Sequence, residues 1–405
     1  MKSIKKNFVY NTLLSISQVL FPLIVFPYIS RVLGPAGIGQ VSFIESVCRY
    51  LILISALGIP IYGVREVARI KGNRVKEEEL VSEILAIHFF STSFIVLIYI
   101  FFILAFSVLK ENLNFYLLGI VFVISNIFNV EWYFQGIEEF KFITLRSIIV
   151  KCIITILTFI LVKNNGDQIL YFLTIVMTLC LNAILNFYFL LKRTSISLIQ
   201  IRSLKKHIKP LIYIFSSTAF VSIYTLSDSI LLGLLSNTQE VGFYTIGQKL
   251  SRIPILFIGA ISVVLIPRLS TYFKNNDHKM FNQILTQSFE FVVFFSIPII
   301  FFIIGNSKFI ILEFAGGDFI QSSEILIILS FLSLLVGLSN IFGLQILTPS
   351  GNDKYFTISV FSGMVVSIIL NYFFIPLFGA RAAALSCVVS EIIVTIITYY
   401  YARKL

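Results

Sequence analysis

From Phe8 to Ile29 the chain runs without one charged side chain, over about the ~20 residues that carry a helix across a bilayer core. Apolar runs of comparable length recur at 39–64, 80–108, 113–134, 142–162 and 168–191. After a polar break six more follow, at 210–234, 241–267, 281–304, 323–347, 355–376 and 380–401. Backbone in hydrocarbon must satisfy its own N–H and C=O groups, so twelve such runs form either a helical bundle or a closed barrel. Barrel strands are about half as long and alternate apolar with polar residues, which these runs do not. Charged residues make up 13% of the chain and hydrophobic ones 58%, whereas a soluble domain is about a quarter charged. The reading is an all-α polytopic membrane protein with about 12 transmembrane helices. No small-residue cleavage site follows the first run, so it reads as a retained helix and not as a signal peptide.

Lysine and arginine set the orientation. With the N-terminus inside, the cytoplasmic stretches are 1–7, 65–79, 135–141, 192–209, 268–280, 348–354 and 402–405, and they hold 21 of the 31 Lys and Arg residues. The outer loops hold only Arg31, Lys110, Lys163, Lys308 and Arg381. This bias places both termini in the cytoplasm. It also accounts for most of the net charge of +11 without invoking nucleic acid, while the same loops would attract anionic membrane lipids.

Six segments return the chain to its starting side, so a six-plus-six protein can hold two repeats of one orientation. A shift of 203 residues lays Gly39 on Gly242, Arg49 on Arg252 and Arg65 on Arg268. The tetrapeptide SNIF occurs at 125–128 and again at 339–342, in segments 4 and 10, each time just before a cytoplasmic turn. The expected organisation is an N-terminal six-helix lobe at 1–191, a basic cytoplasmic linker at 192–209 and a C-terminal six-helix lobe at 210–405. The linker reads either as a helix lying on the inner leaflet or as a plain topology-setting loop.

An ionisable group at mid-membrane costs at least ~2.5–3.5 kcal/mol and needs a partner or an aqueous cavity. Arg49 lies about 15 Å into segment 2, and Arg252 occupies the equivalent depth in segment 8. Lys249 precedes Arg252 by three residues and Glu45 precedes Arg49 by four, so each pair shares one helix face. Arg49, Lys249 and Arg252 are the candidates for lining an anion-accepting cavity, because guanidinium offers two parallel donors to phosphate oxygens and lysine adds a point charge. The alternative for Arg49 is a salt bridge to Glu45 that only locks the helix. Glu45, Arg146 and Lys151 are secondary cavity candidates. Asp228, Glu391 and Glu290 are candidates for coupling to an ion, or else neutralise a basic partner. Glu83 and Glu131 lie near helix ends, within reach of headgroups.

Other features carry less. Prolines at 22, 27, 60, 254 and 298 are potential bends, though proline is common in membrane helices. The four cysteines all fall within apolar segments, and the three histidines are scattered, so neither a disulfide framework nor a metal site is indicated. GPAGIG at 34–39 imitates a phosphate loop but follows a membrane segment, not a strand.

Five stretches carry a family resemblance: RVLGPAGIGQVSF at 31–43, GVREVAR at 63–69, EWYFQGIEEFKFITLRS at 131–147, SDSILLG at 227–233 and QILTPSGNDKYF at 345–356. With them the whole chain resembles the multidrug/oligosaccharidyl-lipid/polysaccharide exporter superfamily, and within it the Wzx-type O-antigen flippases. The most specific stretch contains Trp132, Gln135, Gly136, Glu138 and Lys141. The resemblance implies two six-helix lobes of the multidrug-exporter kind. It further implies translocation of a polyprenyl-diphosphate-linked oligosaccharide from the inner to the outer leaflet of a bacterial inner membrane, by alternating access. No cofactor is expected beyond a proton or sodium gradient. The expected partners are the lipid-linked glycan, membrane lipids, a polysaccharide polymerase and a chain-length regulator. Segment 1 carries no charge before Arg31, unlike the related lipid II flippases.

Three rival readings remain, one of them a passive scramblase or structural membrane protein, which would need no buried charges. A cation-coupled multidrug exporter of the same fold calls for an acidic or aromatic cavity, against which the basic residues of segments 2 and 8 count. An O-antigen polymerase would be an enzyme with a large outer loop, and the longest here, 305–322, is short.

Overall fold

The computed structural model describes residues 4–106, 112–196 and 201–404. Lys110 and the middle of the basic linker, 197–200, lie outside the described residues. Among the described residues every regular element is helical, and nine helices are long and apolar enough to cross a membrane. The first element, α1 (Ile4–Ala56), covers the first apolar run and the second as far as Ala56. It is two helices joined across a kink at Gly34, whose φ of 65° and ψ of 179° are non-helical and lie in a region that side-chain-bearing residues avoid.

After α1 come α2 (Ile59–Ile70), α3 (Arg74–Ala105), α4 (Leu113–Ser125), a 3₁₀ turn (Asn126–Phe128), α5 (Glu131–Gly136), α6 (Phe140–Leu161) and α7 (Gln168–Leu191). Then α8 (Lys205–Leu235), α9 (Thr238–Lys274), α10 (His278–Ala315), α11 (Ser322–Ser330) and α12 (Leu332–Asn340) lead into a π-helical stretch (Ile341–Leu347). The chain ends with α13 (Asp353–Phe378) and α14 (Ala380–Ala402). Both copies of SNIF therefore interrupt regular α-helix, the first by tightening to 3₁₀ and the second by widening to π.

Two compact units form. One takes the chain up to Leu33 together with Ile44–Ala219, and the other takes Gly34–Phe43 together with Phe220–Leu405. Phenylalanines face outward, as on α3 (Phe94, Phe101) and α10 (Phe294, Phe301), while serines such as Ser30, Ser55, Ser296, Ser367 and Ser390 are buried. This inversion of a soluble core follows from the solvent: lipid tails are as apolar as leucine, so helices associate by close packing of small residues. In the first unit a buried cluster gathers Ile59, Tyr62, Val81, Trp132, Phe134 and Ile143 around α2 and α5. Gly63 admits the Trp132 ring there, and Gly136 admits Val67.

In the second unit two glycines aligned by the sequence shift meet. A Cβ on Gly39 would strike the Thr238 carbonyl, and one on Gly242 would strike the Pro35 carbonyl, so the two helices cross backbone to backbone. Asn237 caps α9 by accepting from the Glu240 N–H at 3.0 Å. Glu240 in turn accepts from the Ala380 N–H at 2.7 Å and so satisfies the start of α14.

Candidate functional site

Arg49 stands on the part of α1 that belongs to the first unit. Its Nε and Nη2 donate to Glu45 Oε1 at 2.8 and 2.6 Å, so the intrahelical pair does form. Arg49 is nevertheless 54% exposed against 21% for Glu45, and its guanidinium lies 5.9 Å from the Phe122 ring. Lys249 and Arg252 stand on α9 in the second unit, the first half-buried and the second exposed, two residues before Pro254. Among the described residues Arg252 makes no ion pair or hydrogen bond, but its charge acts on Asp228 and Tyr244.

Asp228, on α8, is buried in the second unit. Its Oδ2 accepts from the Tyr244 hydroxyl at 2.6 Å, and its Oδ1 accepts from Asn371 Nδ2 at 2.7 Å and, more weakly, from Ser367 Oγ at 3.4 Å. Three elements, α8, α9 and α13, thus converge on one carboxylate. Glu391 is buried separately, where Ser339 of the second SNIF donates to Oε1 at 2.6 Å. Glu290 joins neither group; it is exposed on α10.

The first unit holds a second polar centre. Arg146, on α6, is buried and donates Nη2 to Glu131 Oε2 at 3.1 Å. Gln135 donates to the other oxygen of Glu131 at 3.1 Å, and Asn186 donates to Asn129 Oδ1 at 2.7 Å. Glu131 therefore turns inward to Arg146. Lys151 donates to Ser17 at 3.0 Å and feels the charge of Glu131 without bonding to it. The signature residues divide by role: Trp132 and Gly136 pack α5 against α2, whereas Glu138, at φ 62°, pairs with Lys71 at 2.7 Å and Lys141 is exposed.

With helices of spanning length, buried carboxylates and exposed cations in view, comparison with known proteins places the chain. Residues 4–273 match the family described as Polysaccharide biosynthesis protein. The chain belongs to that family. Residues 214–373 also match MatE. This polysaccharide biosynthesis protein is 25% identical to the "Putative O-antigen transporter" of Escherichia coli (strain K12), over 99% of its own length and 97% of that protein's. It is 24% identical to the capsular polysaccharide biosynthesis protein CapF of Staphylococcus aureus, over 98% and 99%. Among solved structures it superposes on the lipid II flippase MurJ in an inward closed conformation with TM-score 0.72 at 17% identity, covering 98% of this chain and 87% of that one. An inward-facing multidrug resistance MATE transporter of the MOP superfamily gives TM-score 0.71 at 15% identity, covering 96% and 94%. The fold is that of the multidrug/oligosaccharidyl-lipid/polysaccharide superfamily, and with nine helices of spanning length among the described residues this family member is a multi-pass membrane protein.

Sequence reasoning missed several groups in this family member. Tyr244, Ser367 and Asn371 were silent because polar residues inside an apolar run announce themselves only when a partner helix is known. Glu83 does not reach a headgroup: it is 2% exposed and takes His207 Nε2 and Lys206 Nζ, each at 2.8 Å. His207 Nδ1 also meets the Tyr62 hydroxyl at 2.6 Å, which ties the end of the linker to α2 and α3. Burial lowers the Lys206 ammonium pKa, but the hydrogen bonds and charges of Glu83 and Glu79 outweigh it and hold it above the ordinary lysine value.

Proposed function

We propose that the protein translocates a polyprenyl-diphosphate-linked oligosaccharide, an O-antigen or related repeat unit, from the inner to the outer leaflet of a bacterial inner membrane by alternating access. The observation that carries this reading is the exposure of Arg252 in the middle of an apolar segment with no ion pair among the described residues, where a cation is expensive, together with that of Arg49, whose guanidinium stays half-exposed despite its pair with Glu45. A diphosphate headgroup would be the anionic partner, contacted by Arg49, Lys249 and Arg252, with Glu45 moderating Arg49. Asp228, held by Tyr244, Ser367 and Asn371, is the coupling group for a proton or sodium gradient; Glu391 is a second candidate and Glu290, being exposed, a weaker one. The translocated unit would pass to a polymerase and its chain-length regulator.

The test is transport by purified protein in proteoliposomes loaded with a polyprenyl-diphosphate glycan labelled on its sugar, read by an external quencher. Accessible label above protein-free vesicles supports the reading. None, with the cognate glycan and an imposed gradient, sinks it, and chain growth would then be assayed for a polymerase. Losing one charge-assisted contact of roughly 1.5–3 kcal/mol should slow Arg49→Ala and Arg252→Ala about tenfold or more. Arg252→Lys should fall between Arg252→Ala and wild type. Normal rates in both alanine variants, normally expressed, would discard the assignment.

A further inference from the structure

The first unit contains a cavity of about 200 Å³ beside the first SNIF, walled by His88, Asn126, Asn129, Glu131, Trp132 and Gln135 along with the start of α2. We propose that this cavity is a subsite for one pyranose ring of the transported glycan. The inference rests on the glycan-flippase reading and adds to it the place where sugar, as distinct from diphosphate, is recognised.

Charge narrows the ligand first. Glu131 is the carboxylate in the wall, and Arg146 neutralises it from behind at 3.1 Å. A cation entering would have to compete with Arg146, and an anion would meet Glu131, so the balance favours a neutral ligand. Hydrogen-bonding capacity narrows it further. Asn126, Asn129 and Gln135 each carry an amide that both donates and accepts, and the bond between Asn126 Nδ2 and His88 Nε2 is long at 3.4 Å. Asn129 spends one lone pair on Asn186, and Gln135 spends its amino group on Glu131. The remaining capacity is mixed donor and acceptor, as a ring of hydroxyl or acetamido groups requires.

Shape agrees with this. Trp132 gives one wall an aromatic character, and Pro60 and Ile59 give another an apolar one, which suits the C–H faces of a pyranose. The volume is below the ~300–1,000 Å³ of sites that enclose drug-sized molecules, so one ring fits and an oligosaccharide does not. The cavity lies just before the 135–141 stretch that the Lys and Arg bias assigns to the cytoplasm, the side from which the glycan is loaded.

Trp132 is the only tryptophan in the chain and so reports on this cavity directly. The experiment follows its emission in the full-length protein in nanodiscs while adding three probes. These are the polyprenyl-diphosphate glycan extracted from cells that make the cognate polysaccharide, the free oligosaccharide released from it by mild acid, and undecaprenyl diphosphate without sugar. The expected result is a saturable change with the first two and none with the third. Asn126→Leu should weaken the free-oligosaccharide response about tenfold, the equivalent of one lost hydrogen bond. If Asn126→Leu does not purify, Gln135→Ala, at a partly exposed position, carries the same expectation. A response to undecaprenyl diphosphate alone overturns the subsite. So does no response to either glycan in a preparation that transports the labelled lipid, and that outcome leaves the flippase reading standing. Silence together with absence of transport removes both.

Discussion

Breaking the Glu131–Arg146 pair tests the charge argument at its base. Arg146 is 4% exposed and Glu131 29%, with 3.1 Å between Nη2 and Oε2. Arg146 Nε and Nη1 have no partner among the described residues, so Glu131 provides nearly all the polar compensation, aided by the Phe142 ring at 5.6 Å. Removing one member of a buried pair costs roughly 3–5 kcal/mol, whereas exposed pairs are worth about 0–1. Because Glu131 keeps some exposure, Glu131→Gln should cost about 3 kcal/mol, the low end. Arg146→Met in the same background removes the stranded cation, so the double variant should recover at least ~2 kcal/mol of that loss. The assay is equilibrium unfolding in mixed micelles, followed by far-ultraviolet circular dichroism for wild type, both single variants and the double. If Glu131→Gln lies within about 0.5 kcal/mol of wild type, or the two changes add, water is solvating Arg146. The cavity would then not be neutral in the sense argued above, and the selection of an uncharged ligand would lose its foundation.

Three further outcomes are expected. Gly242→Ala forces a Cβ onto the Pro35 carbonyl and should lower the thermal midpoint and the folded yield, at a cost of about 1–3 kcal/mol; Gly259→Ala, with no atom near the added methyl, should not, and equal midpoints for the two would refute the close crossing. Asp228→Asn should preserve folding but abolish the stimulation of transport by an imposed proton or sodium gradient, measured in the same proteoliposomes; undiminished stimulation would exclude Asp228 as the coupling group. Glu83→Ala strands His207 and Lys206, so limited proteolysis of the 192–204 segment should speed up several-fold, reflecting about 1–3 kcal/mol of lost restraint. An unchanged cleavage rate would show that the linker is held elsewhere.

The helical class was legible because a bilayer leaves the backbone so few options, and run length alone decides among them. The Glu45–Arg49 pair was legible too, because a spacing of four on one helix is a geometric statement. The Glu131–Arg146 pair was not, although each residue drew attention singly. Fifteen residues separate them, and the chain between breaks helix at Ile137–Glu139, so no periodicity predicts that they meet. The break between the first two spans was legible as well: Gly34 and Pro35 mark it in the sequence, and the backbone leaves helical geometry at Gly34.

The two SNIF copies share an interruption of the helix but not its chemistry. In the first unit the motif tightens to 3₁₀, Ser125 meets Cys180 at 2.9 Å, and Asn126 turns to the polar cavity. In the second it widens to π, and Ser339 donates to Glu391 instead. Either distortion frees backbone groups that a regular helix would consume, which is costly in a membrane unless something nearby uses them. Each unit has placed buried polar side chains beside its own break, amides and a neutralised carboxylate in one, a buried carboxylate in the other. A repeat kept only for packing would have no reason to surround the same tetrapeptide with different polar partners. The proposed sugar subsite in the first unit and the proposed ion coupling in the second supply one, and on that reading exchanging Asn126 for Leu should impair glycan binding while leaving gradient dependence intact.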